Sequence, residues 1–244
     1  MKIITAAIIK GGTGKTTTTA ALAQAAAHAG KKVLAIDLDP QANLSSFIGA
    51  DPGAPGSYQL LHGADPAQTI QGTEQGIDAI SASPDLAGEK TSPGSARRLA
   101  RALEPIREGY DLILIDTPPT MGELTYNALF TSTGVIIPLE TDTSSIQGLL
   151  QIAGIINQIK PQAPALEITG AILTRYDARP KLNRHIRGMI EDKCKELAIP
   201  FLMAIRPGIA IREAQATQQS IYTYAPRSKP AQDYRELYTK IQEG

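Results

Sequence analysis

Tryptophan is absent from this 244-residue sequence, aromatic residues make up only 5% of it, and cysteine occurs once. The core must therefore be built from aliphatic side chains, which the 42% hydrophobic content supplies. The single cysteine, Cys194, excludes a disulfide or a cysteine-ligated cluster within one chain. No apolar run approaches the length needed to span a bilayer. The short run Met1–Ile9 lacks a cleavage site, which favours a cytoplasmic strand over a leader peptide.

The sequence also carries no net charge, because 24 Lys and Arg residues balance 24 Asp and Glu residues. No overall field draws such a chain to a polyanion, so any nucleic-acid binding requires a local basic patch. Residues 175–212 provide a candidate, with nine basic residues against four acidic ones. Within it, Arg184 and Arg187 share a helix face. This segment is either a phosphate-binding surface or an ordinary solvated helix face.

The most informative segment is a glycine-rich loop, Lys10–Thr17, between the apolar run Ile3–Ile9 and the alanine-rich segment Thr18–Ala29. Strand, loop and helix in this order form a phosphate-binding site. Glycines let backbone N–H groups converge on one anion, and the helix N-terminus adds partial positive charge. In such a loop, Lys15 reaches the terminal phosphates and the Thr16 hydroxyl ligates Mg²⁺.

The loop departs from the P-loop pattern G-x-x-x-x-G-K-[ST] at its start. The pattern ends on Gly14-Lys15-Thr16, so its first glycine would fall at position 9. The chain has Ile9 there, followed by a second lysine, Lys10. Backbone amides bind phosphate without that glycine, so the nucleotide site is still predicted. The residues predicted to bind the nucleotide are Lys10, Gly11, Gly12, Thr13, Gly14, Lys15, Thr16 and Thr17.

Apolar runs alternate with helical patterns along the rest of the chain. Near-continuous apolar strands of this kind predict an α/β fold, a mostly parallel sheet with helices on both faces, in one domain over residues 1–244. Further strands are predicted at Val33–Leu38, Ile77–Ser81, Leu112–Asp116, Val135–Leu139, Ile168–Leu173 and Phe201–Ile205. Helices are predicted at Ala96–Arg107, Gly122–Ser132, Ser145–Lys160, Pro180–Leu197 and Ala231–Gln242, and surface loops at Asp51–Ser57 and Ser92–Ser95.

Aspartates stand at the ends of two predicted strands. Ligands of open α/β sheets bind at the carboxyl ends of the strands. Asp116 follows four aliphatic residues. A carboxylate at the end of such a strand is typical of a residue that holds a Mg²⁺-bound water. Asp37 and Asp39 alternate, so they share a face. We expect Asp37 to support the metal and Asp39, further out, to orient the attacking water. The alternative is that these residues simply end their strands.

These segments carry a family resemblance. The loop Lys10–Thr17, the run Asp37–Asn43 and the run Asp116–Pro119 resemble those of the ParA/Soj partition ATPases, in the deviant Walker A (MinD/ParA) superfamily. Looser matches that extend the resemblance over nearly the whole chain lie at Asn127–Leu129, Leu173–Arg179 and Arg212–Ala214.

The resemblance implies a P-loop NTPase fold and slow, Mg²⁺-dependent ATP hydrolysis by a homodimer that holds ATP between its subunits. It implies that Lys10 reaches across the interface to the partner's nucleotide and acts in catalysis together with Lys15. Asp39 matches the hydrolytic aspartate. The residues expected at the metal are Thr16, Asp116, through a water, and Asp37.

The resemblance also implies a DNA-related output. The ATP dimer would bind DNA without sequence preference, and a ParB-like DNA-bound partner would accelerate hydrolysis. The protein would be cytoplasmic and nucleoid-associated, with no stable membrane association. Its cargo stays open between a plasmid, a chromosome, an integrated element and a non-DNA cargo. Because the chain begins at the first strand, we expect no N-terminal DNA-reading domain. The residues expected to contact DNA are Arg184, Arg187, Lys193, Lys195 and Arg212.

Three other functions remain open. A MinD-like ATPase would use an apolar stripe near the C-terminus on a membrane, although a helix docked on the sheet explains the stripe better. A tyrosine kinase would use the late tyrosines, although the segment Tyr222–Tyr224 reads as strand or loop packing. A nucleotide-gated scaffold would not hydrolyse ATP. The residues of the apolar stripe are Tyr234, Leu237, Tyr238 and Ile241.

Overall fold

The computed structural model describes residues 1–90 and 94–243. Over these residues the chain forms one eight-stranded sheet with helices on both faces. The strands are β1 (Lys2–Ala6), β2 (Val33–Asp37), β3 (Gln71–Gly72), β4 (Asp78–Ile80), β5 (Leu112–Asp116), β6 (Gly134–Leu139), β7 (Glu167–Leu173) and β8 (Phe201–Ala204). The helices are α1 (Lys15–His28), α2 (Asn43–Ile48), α3 (Ser57–Leu61), α4 (Pro66–Thr69), α5 (Arg98–Leu103), α6 (Glu123–Thr131), α7 (Thr143–Ile159), α8 (Lys181–Glu196), α9 (Ala210–Ala216), α10 (Ile221–Tyr224) and α11 (Lys229–Glu243).

The strand order is β3-β4-β2-β5-β1-β6-β7-β8, which puts β1 in the interior of the sheet. All neighbouring strands are parallel except β3 and β4. In register, Asp116 lies beside both Ala6 and Asp37. The carboxyl ends of β1, β2 and β5 therefore meet at one edge, where the glycine-rich loop begins. This mostly parallel architecture confirms the predicted fold class.

Alternation along the strands divides the core between the two faces of the sheet. Ile4 and Leu114 point to the face covered by α1, α2, α9, α10 and α11. Ile3 and Ile115 point to the other face, covered towards β2 by α3, α5 and α6. On that same face, helices α7 and α8 pack on β6 and β7. A parallel sheet needs such cover on both sides, which explains its nearly continuous aliphatic strands.

The apolar stripe near the C-terminus belongs to the first of these faces. Its four residues are buried in the core cluster that also contains α1. The Tyr234 hydroxyl lies 3.2 Å from the Thr18 hydroxyl of α1. The stripe therefore packs α11 onto the core on this face of the sheet and is not exposed at the surface. Among the described residues, no helix combines the length and apolar character that a membrane crossing needs.

Several predicted boundaries are wrong, for local reasons. The first helix begins at Lys15, because the end of the glycine loop already forms its first turn. The predicted helix Ala96–Arg107 is interrupted, with 3-10 turns on both sides of α5. The segment Tyr222–Tyr224 lies in the short helix α10 and is neither strand nor loop. Helices α2, α3, α4 and α9 and the edge strand β3 were not predicted.

Two predicted surface loops have different outcomes. The loop Asp51–Ser57 is exposed over much of its length, but Ser57 at its end is buried and begins α3. The Ser57 hydroxyl donates a 2.5 Å hydrogen bond to the carbonyl of Asp37, which ties the loop to the end of β2. Of the loop Ser92–Ser95, residues 92 and 93 lie outside the described residues, and Ser95 is buried and begins a 3-10 turn.

Candidate nucleotide-binding site

The glycine loop joins β1 to α1 in the strand, loop and helix order that the sequence predicts. Gly12 and Gly14 adopt φ angles of 78° and 87°, in the left-handed region that side chains disfavour. At Gly14 a Cβ atom would also lie 3.3 Å from the Thr174 side chain. Glycine therefore lets the loop curl tightly in front of the helix N-terminus, where free N–H groups bind anions.

Lys15 is placed inside the curl of the loop. Its side chain is only 7% exposed, and its Nζ donates a 3.0 Å hydrogen bond to the Lys10 carbonyl. Burial lowers the pKa of Lys15, and the carboxylates of Asp116 and Asp39 act in the opposite direction. A buried ammonium in this position needs nearby anions to offset its desolvation. A polyphosphate in the loop would supply that negative charge.

A hydroxyl and a carboxylate meet next to this lysine. The Thr16 hydroxyl donates a 2.6 Å hydrogen bond to Asp116 Oδ2. Asp116 Oδ1 is buried and has no hydrogen-bond partner among the described residues. Burial raises the pKa of Asp116 well above its usual range, and the neighbouring charge of Asp37 acts in the same direction. An orphaned carboxylate oxygen beside a threonine hydroxyl fits a hard divalent cation such as Mg²⁺.

The described residues contain no cluster of three or more His, Cys, Asp or Glu residues that could hold a metal by themselves. This agrees with the way Mg²⁺ is usually bound, through one or two protein oxygens with waters and phosphates completing its octahedron. The pair of Thr16 and Asp116 would fit such a partial ligand set.

Asp37 is used differently from Asp116. Its Oδ1 accepts a hydrogen bond from the Asp39 amide, and its Oδ2 accepts two from the amide and hydroxyl of Ser45. Burial raises the pKa of Asp37 to about 6, against these hydrogen bonds. Both oxygens are thus occupied by the chain itself. The geometry makes Asp37 the anchor of the segment that carries Asp39, while its predicted role at the metal stays a prediction.

Asp39 lies at the mouth of the loop. It is 8% exposed, and its Oδ1 accepts a 3.0 Å hydrogen bond from the Gln41 amide. It faces an open cavity of about 430 Å³ that surrounds the glycine loop. The cavity is lined by Gly11, Gly12, Thr13, Gly14, Lys15, Thr16, Thr17, Asp39, Gln41, Asn43, Phe47, Pro119 and Arg175.

Lys10 is turned away from this cavity. Its Nζ is paired with the carboxylate of Asp142 and lies 3.5 Å from that of Glu140. Asp142 caps α7 by accepting a 2.9 Å hydrogen bond from the Ser145 amide. Partial burial acts to raise the pKa of Asp142, but hydrogen bonds, above all from Lys10, lower it to about 2. The two lysines of the loop therefore occupy different places, one inside the curl and one at its outer rim.

The ends of β6 and β7 add residues that the sequence interpretation did not assign to the nucleotide site. Thr174 donates a 2.8 Å hydrogen bond to the Thr13 carbonyl, and Arg175 donates one of 2.5 Å to the Gly12 carbonyl. Arg175 is also paired with Glu140. The available signal was the same one that identified Asp116, a polar residue directly after a buried strand.

A second cavity, of about 240 Å³, adjoins the loop. It shares Gly14, Thr17 and Arg175 with the loop cavity. Gln215 Nε2 donates a 3.3 Å hydrogen bond to the Thr17 hydroxyl at this junction. The remaining lining residues are Thr174, Ile205, Arg206, Gly208, Ile211, Arg212, Gln215 and Tyr234.

The basic segment does not form the single patch that its composition predicted. Arg184, Arg187, Lys193 and Lys195 lie on α8, whereas Arg212 lies on α9, across the sheet, and lines the second cavity. On α8 itself, Arg187 pairs with Glu191 at 2.7 Å, and Lys193 pairs with Glu196. Strand β8 lies between the two helices, which are on opposite faces of the sheet, and the predicted contact of Arg212 with DNA stays a prediction.

Comparison with known proteins places this site among phosphate-loop ATPases. A family model described as an AAA domain (AAA_31) matches residues 1–168. The chain is 33% identical over 234 residues to the chromosome-partitioning ATPase Soj of Thermus thermophilus, covering 95% of this chain and 92% of that protein. It is similarly 33% identical to the chromosome partitioning protein ParA of Caulobacter vibrioides, covering 99% and 94%. A structure of cobyrinic acid a,c-diamide synthase from Mycobacterium smegmatis, with an ATP analogue and magnesium bound, has 31% identity and a TM-score of 0.84, covering 98% and 93%.

Proposed function

The chain belongs to the ParA/Soj-type ATPases of the MinD/ParA superfamily, and on that premise we propose that it is a partition ATPase whose ATP-bound form is a dimer. In this proposal the dimer binds DNA without sequence preference and segregates or positions a plasmid or chromosomal cargo. A ParB-like DNA-bound partner accelerates its slow hydrolysis. The protein acts in the cytoplasm, associated with the nucleoid.

The chain is an ATPase that uses ATP and Mg²⁺, and its residues divide the work. Mg²⁺ would supply positive charge that neutralises the negative charge developing on the terminal phosphates. Thr16 and Asp116 are the residues that would hold it. Lys15, already inside the loop, places its ammonium against the phosphates. Asp39, fixed by the Gln41 amide, is proposed to orient the attacking water.

One observation carries the dimer proposal: Lys10 does not line the cavity of its own loop. Its ammonium stands at the outer rim, where its ionic partners among the described residues are the carboxylates of Asp142 and Glu140. A triphosphate enclosed between two subunits needs cations from both sides to offset its desolvation. Lys10 is therefore proposed to leave its carboxylates and act on the nucleotide of the partner subunit.

Light scattering after gel filtration would test this proposal. We expect wild-type protein to be dimeric with ATP and Mg²⁺ and monomeric with ADP. The Asp39→Ala variant should stay dimeric with ATP because it does not hydrolyse the nucleotide. The Lys10→Ala variant should bind ATP but stay monomeric. An ATP dimer of Lys10→Ala would overturn the role of Lys10 across the interface, and hydrolysis at the normal rate by Asp39→Ala would overturn that of Asp39.

The DNA proposal is supported by the exposed side of α8. Lys195 and Arg184 are exposed there, and Arg184 bonds only carbonyl oxygens among the described residues. A dimer would present this surface twice and engage several phosphates, with a steep salt dependence. DNA binding measured with ATP, ADP and no nucleotide across a salt series tests it. Equal binding in all three states would contradict the nucleotide dependence.

The burial of the described residues does not favour the other candidate functions. The residues that a membrane-binding helix would present are buried against α1. Of the late tyrosines that a tyrosine kinase would use, Tyr222, Tyr234 and Tyr238 are buried, whereas Tyr224 is 40% exposed. A nucleotide-gated scaffold would not hydrolyse ATP, whereas the chain is an ATPase. The proposal therefore rests on the loop, its two lysines and the surface of α8.

A further inference from the structure

Gln75 joins two helices that flank the nucleotide site. It lies in the turn between the antiparallel strands β3 and β4, which is closed by hydrogen bonds between Thr73 and Ile77. Its Nε2 donates a 2.9 Å hydrogen bond to the Phe47 carbonyl of α2 and one of 2.8 Å to the Gln218 carbonyl, just after α9. These acceptors are 28 and 143 positions away in the sequence. One side chain therefore holds two distant segments together.

The amide oxygen of Gln75 is bonded as well. Its Oε1 accepts a 2.9 Å hydrogen bond from Gln24 of α1, whose own Oε1 accepts one of 3.2 Å from the Ile221 amide at the start of α10. Gln24 is only 6% exposed. Because carbonyl oxygens accept and never donate, the two carbonyls on Nε2 fix which end of the Gln75 amide faces them. A polar network satisfied in this way holds its members in one arrangement.

Both helices that Gln75 holds form walls of the nucleotide site. In α2, Asn43 and Phe47 line the cavity that surrounds the glycine loop. In α9, Gln215 bonds the Thr17 hydroxyl of that loop. Phe47 and Gln215 also line a further open cavity of about 440 Å³, whose other lining residues belong to α2 and to residues 212–218. The separation of α2 and α9 thus sets the width of the opening beside the glycine loop.

Helix α2 is anchored separately at its two ends. Near its start, Ser45 donates to Asp37, which also accepts from the Asp39 amide. Near its end, the Phe47 carbonyl is held by Gln75. None of the three hydrogen bonds of Gln75 involves the segment that carries Asp39. Loss of Gln75 should therefore loosen the wall of the site and leave the carboxylate of Asp39 in place.

We propose that Gln75 is a positioning residue for ATP hydrolysis, which holds α2 and α9 at one separation and touches no nucleotide itself. This inference rests on the proposed placement of ATP in the glycine loop. A site whose walls are already fixed spends less of the interaction energy on ordering them when a ligand binds. Gln75 therefore strengthens the binding of ATP and of ADP, while the rate at saturating ATP depends on groups that other residues hold.

ATP hydrolysis measured over a range of ATP concentrations with Mg²⁺ tests this role in Gln75→Met. Methionine keeps the length of the side chain and removes all three hydrogen bonds. KM for ATP should rise about tenfold with kcat unchanged, and calorimetry should show ADP binding weakened by a similar factor. The matched control is Glu74→Ala, which changes the exposed neighbour in the same turn and should behave like the wild type.

The outcomes separate a positioning role from a structural one. Wild-type KM and ADP affinity in Gln75→Met, with or without a lower melting temperature, would overturn the proposal. A lower kcat would also overturn it, because Asp39 would then depend on Gln75. If Gln75→Met does not fold, the shorter amide of Gln75→Asn should still raise KM at unchanged kcat, and a wild-type KM would count against the proposal. Normal ATP binding by Lys15→Ala would instead show that the proposed ATP site itself is wrong, which is a different result.

Discussion

Charged residues behave differently in the glycine loop and on helix α8. Beside the loop, Lys15 at the start of α1 and Asp116 at the end of β5 are buried, and the backbone of each element fixes their positions. On α8, the charges are exposed or half-exposed, and two of the predicted DNA contacts, Arg187 and Lys193, are paired with carboxylates of the same helix. A motif that fixes the backbone also fixes the chemistry of its side chains, whereas an excess of surface charge can be neutralised by neighbours.

Among the substitutions, the largest effect is expected at Lys15, the lysine inside the loop. Lys15→Ala should abolish ATP binding, because the terminal phosphates lose the ammonium that is already placed inside the loop. Equilibrium titration with ATP and Mg²⁺ measures this, and Lys10→Ala is the matched control, which should retain binding. If Lys15→Ala binds ATP normally, the loop is not the phosphate site and the comparison with α8 loses its basis.

Asp37 tests how firmly the carboxylates of the site are held. Its removal in Asp37→Ala leaves the Asp39 amide and the amide and hydroxyl of Ser45 without their acceptor in the core. The free energy of unfolding should fall by about 3 kcal/mol. Urea denaturation checks this value, with Asp37→Asn as the control that keeps one acceptor oxygen and should lose less. An unchanged denaturation midpoint for Asp37→Ala would mean that these three donor groups form hydrogen bonds with water in the variant.

On α8, we expect cations without a carboxylate partner to contribute more to DNA binding than cations held in ion pairs. The double variant Arg184→Ala, Lys195→Ala should reduce the slope of log affinity for DNA against log salt by about 2, because it removes two phosphate contacts. Arg187→Ala, Lys193→Ala should reduce it less, since Glu191 and Glu196 already neutralise those cations. Fluorescence anisotropy with ATP across a salt series measures both slopes. Equal reductions would show that the ion pairs open on DNA.

The smallest effect is expected inside the loop, at Thr13. Its hydroxyl is buried and has no hydrogen-bond partner among the described residues. Thr13→Val keeps the shape and removes the unsatisfied group, so the free energy of unfolding of the nucleotide-free protein should rise by about 1 kcal/mol. Thermal and urea unfolding provide the measurement. Destabilisation by Thr13→Val would mean that the hydroxyl is bonded, for instance through water.

The sequence predicted best where local pattern and function coincide. The strand, the glycine loop and the first helix were identified from one continuous segment, and Asp116 from its strand-end position. The long helices α7, α8 and α11 were also placed to within a few residues, because their apolar spacing is regular. Short elements such as α3 and α10 were missed, because four or five residues carry too little periodicity to outweigh turn-like composition.

Contacts over long sequence separations could not be predicted. Lys10 and Asp142 are 132 positions apart, and nothing in either local pattern indicates the other. The division of the basic segment between two faces of the sheet depends on the course of the chain through β8, which composition does not record. Arg175 and Glu140 could have been noticed as strand-end residues, but their pairing required the order of β6 and β7 in the sheet.

The packing of α11 on α1 links the nucleotide site to the order in which the ribosome makes the chain. Thr18 and Tyr234 meet although 216 positions separate them, and Lys2 Nζ donates a 2.5 Å hydrogen bond to the Ile241 carbonyl. During translation, roughly 10 to 40 s pass between the synthesis of α1, which begins with Lys15, and that of the α11 residues that pack on it. A nascent chain that lacks α11 therefore exposes an unfinished ATP site, and the proposed dimer should form only once α11 has been made and packed.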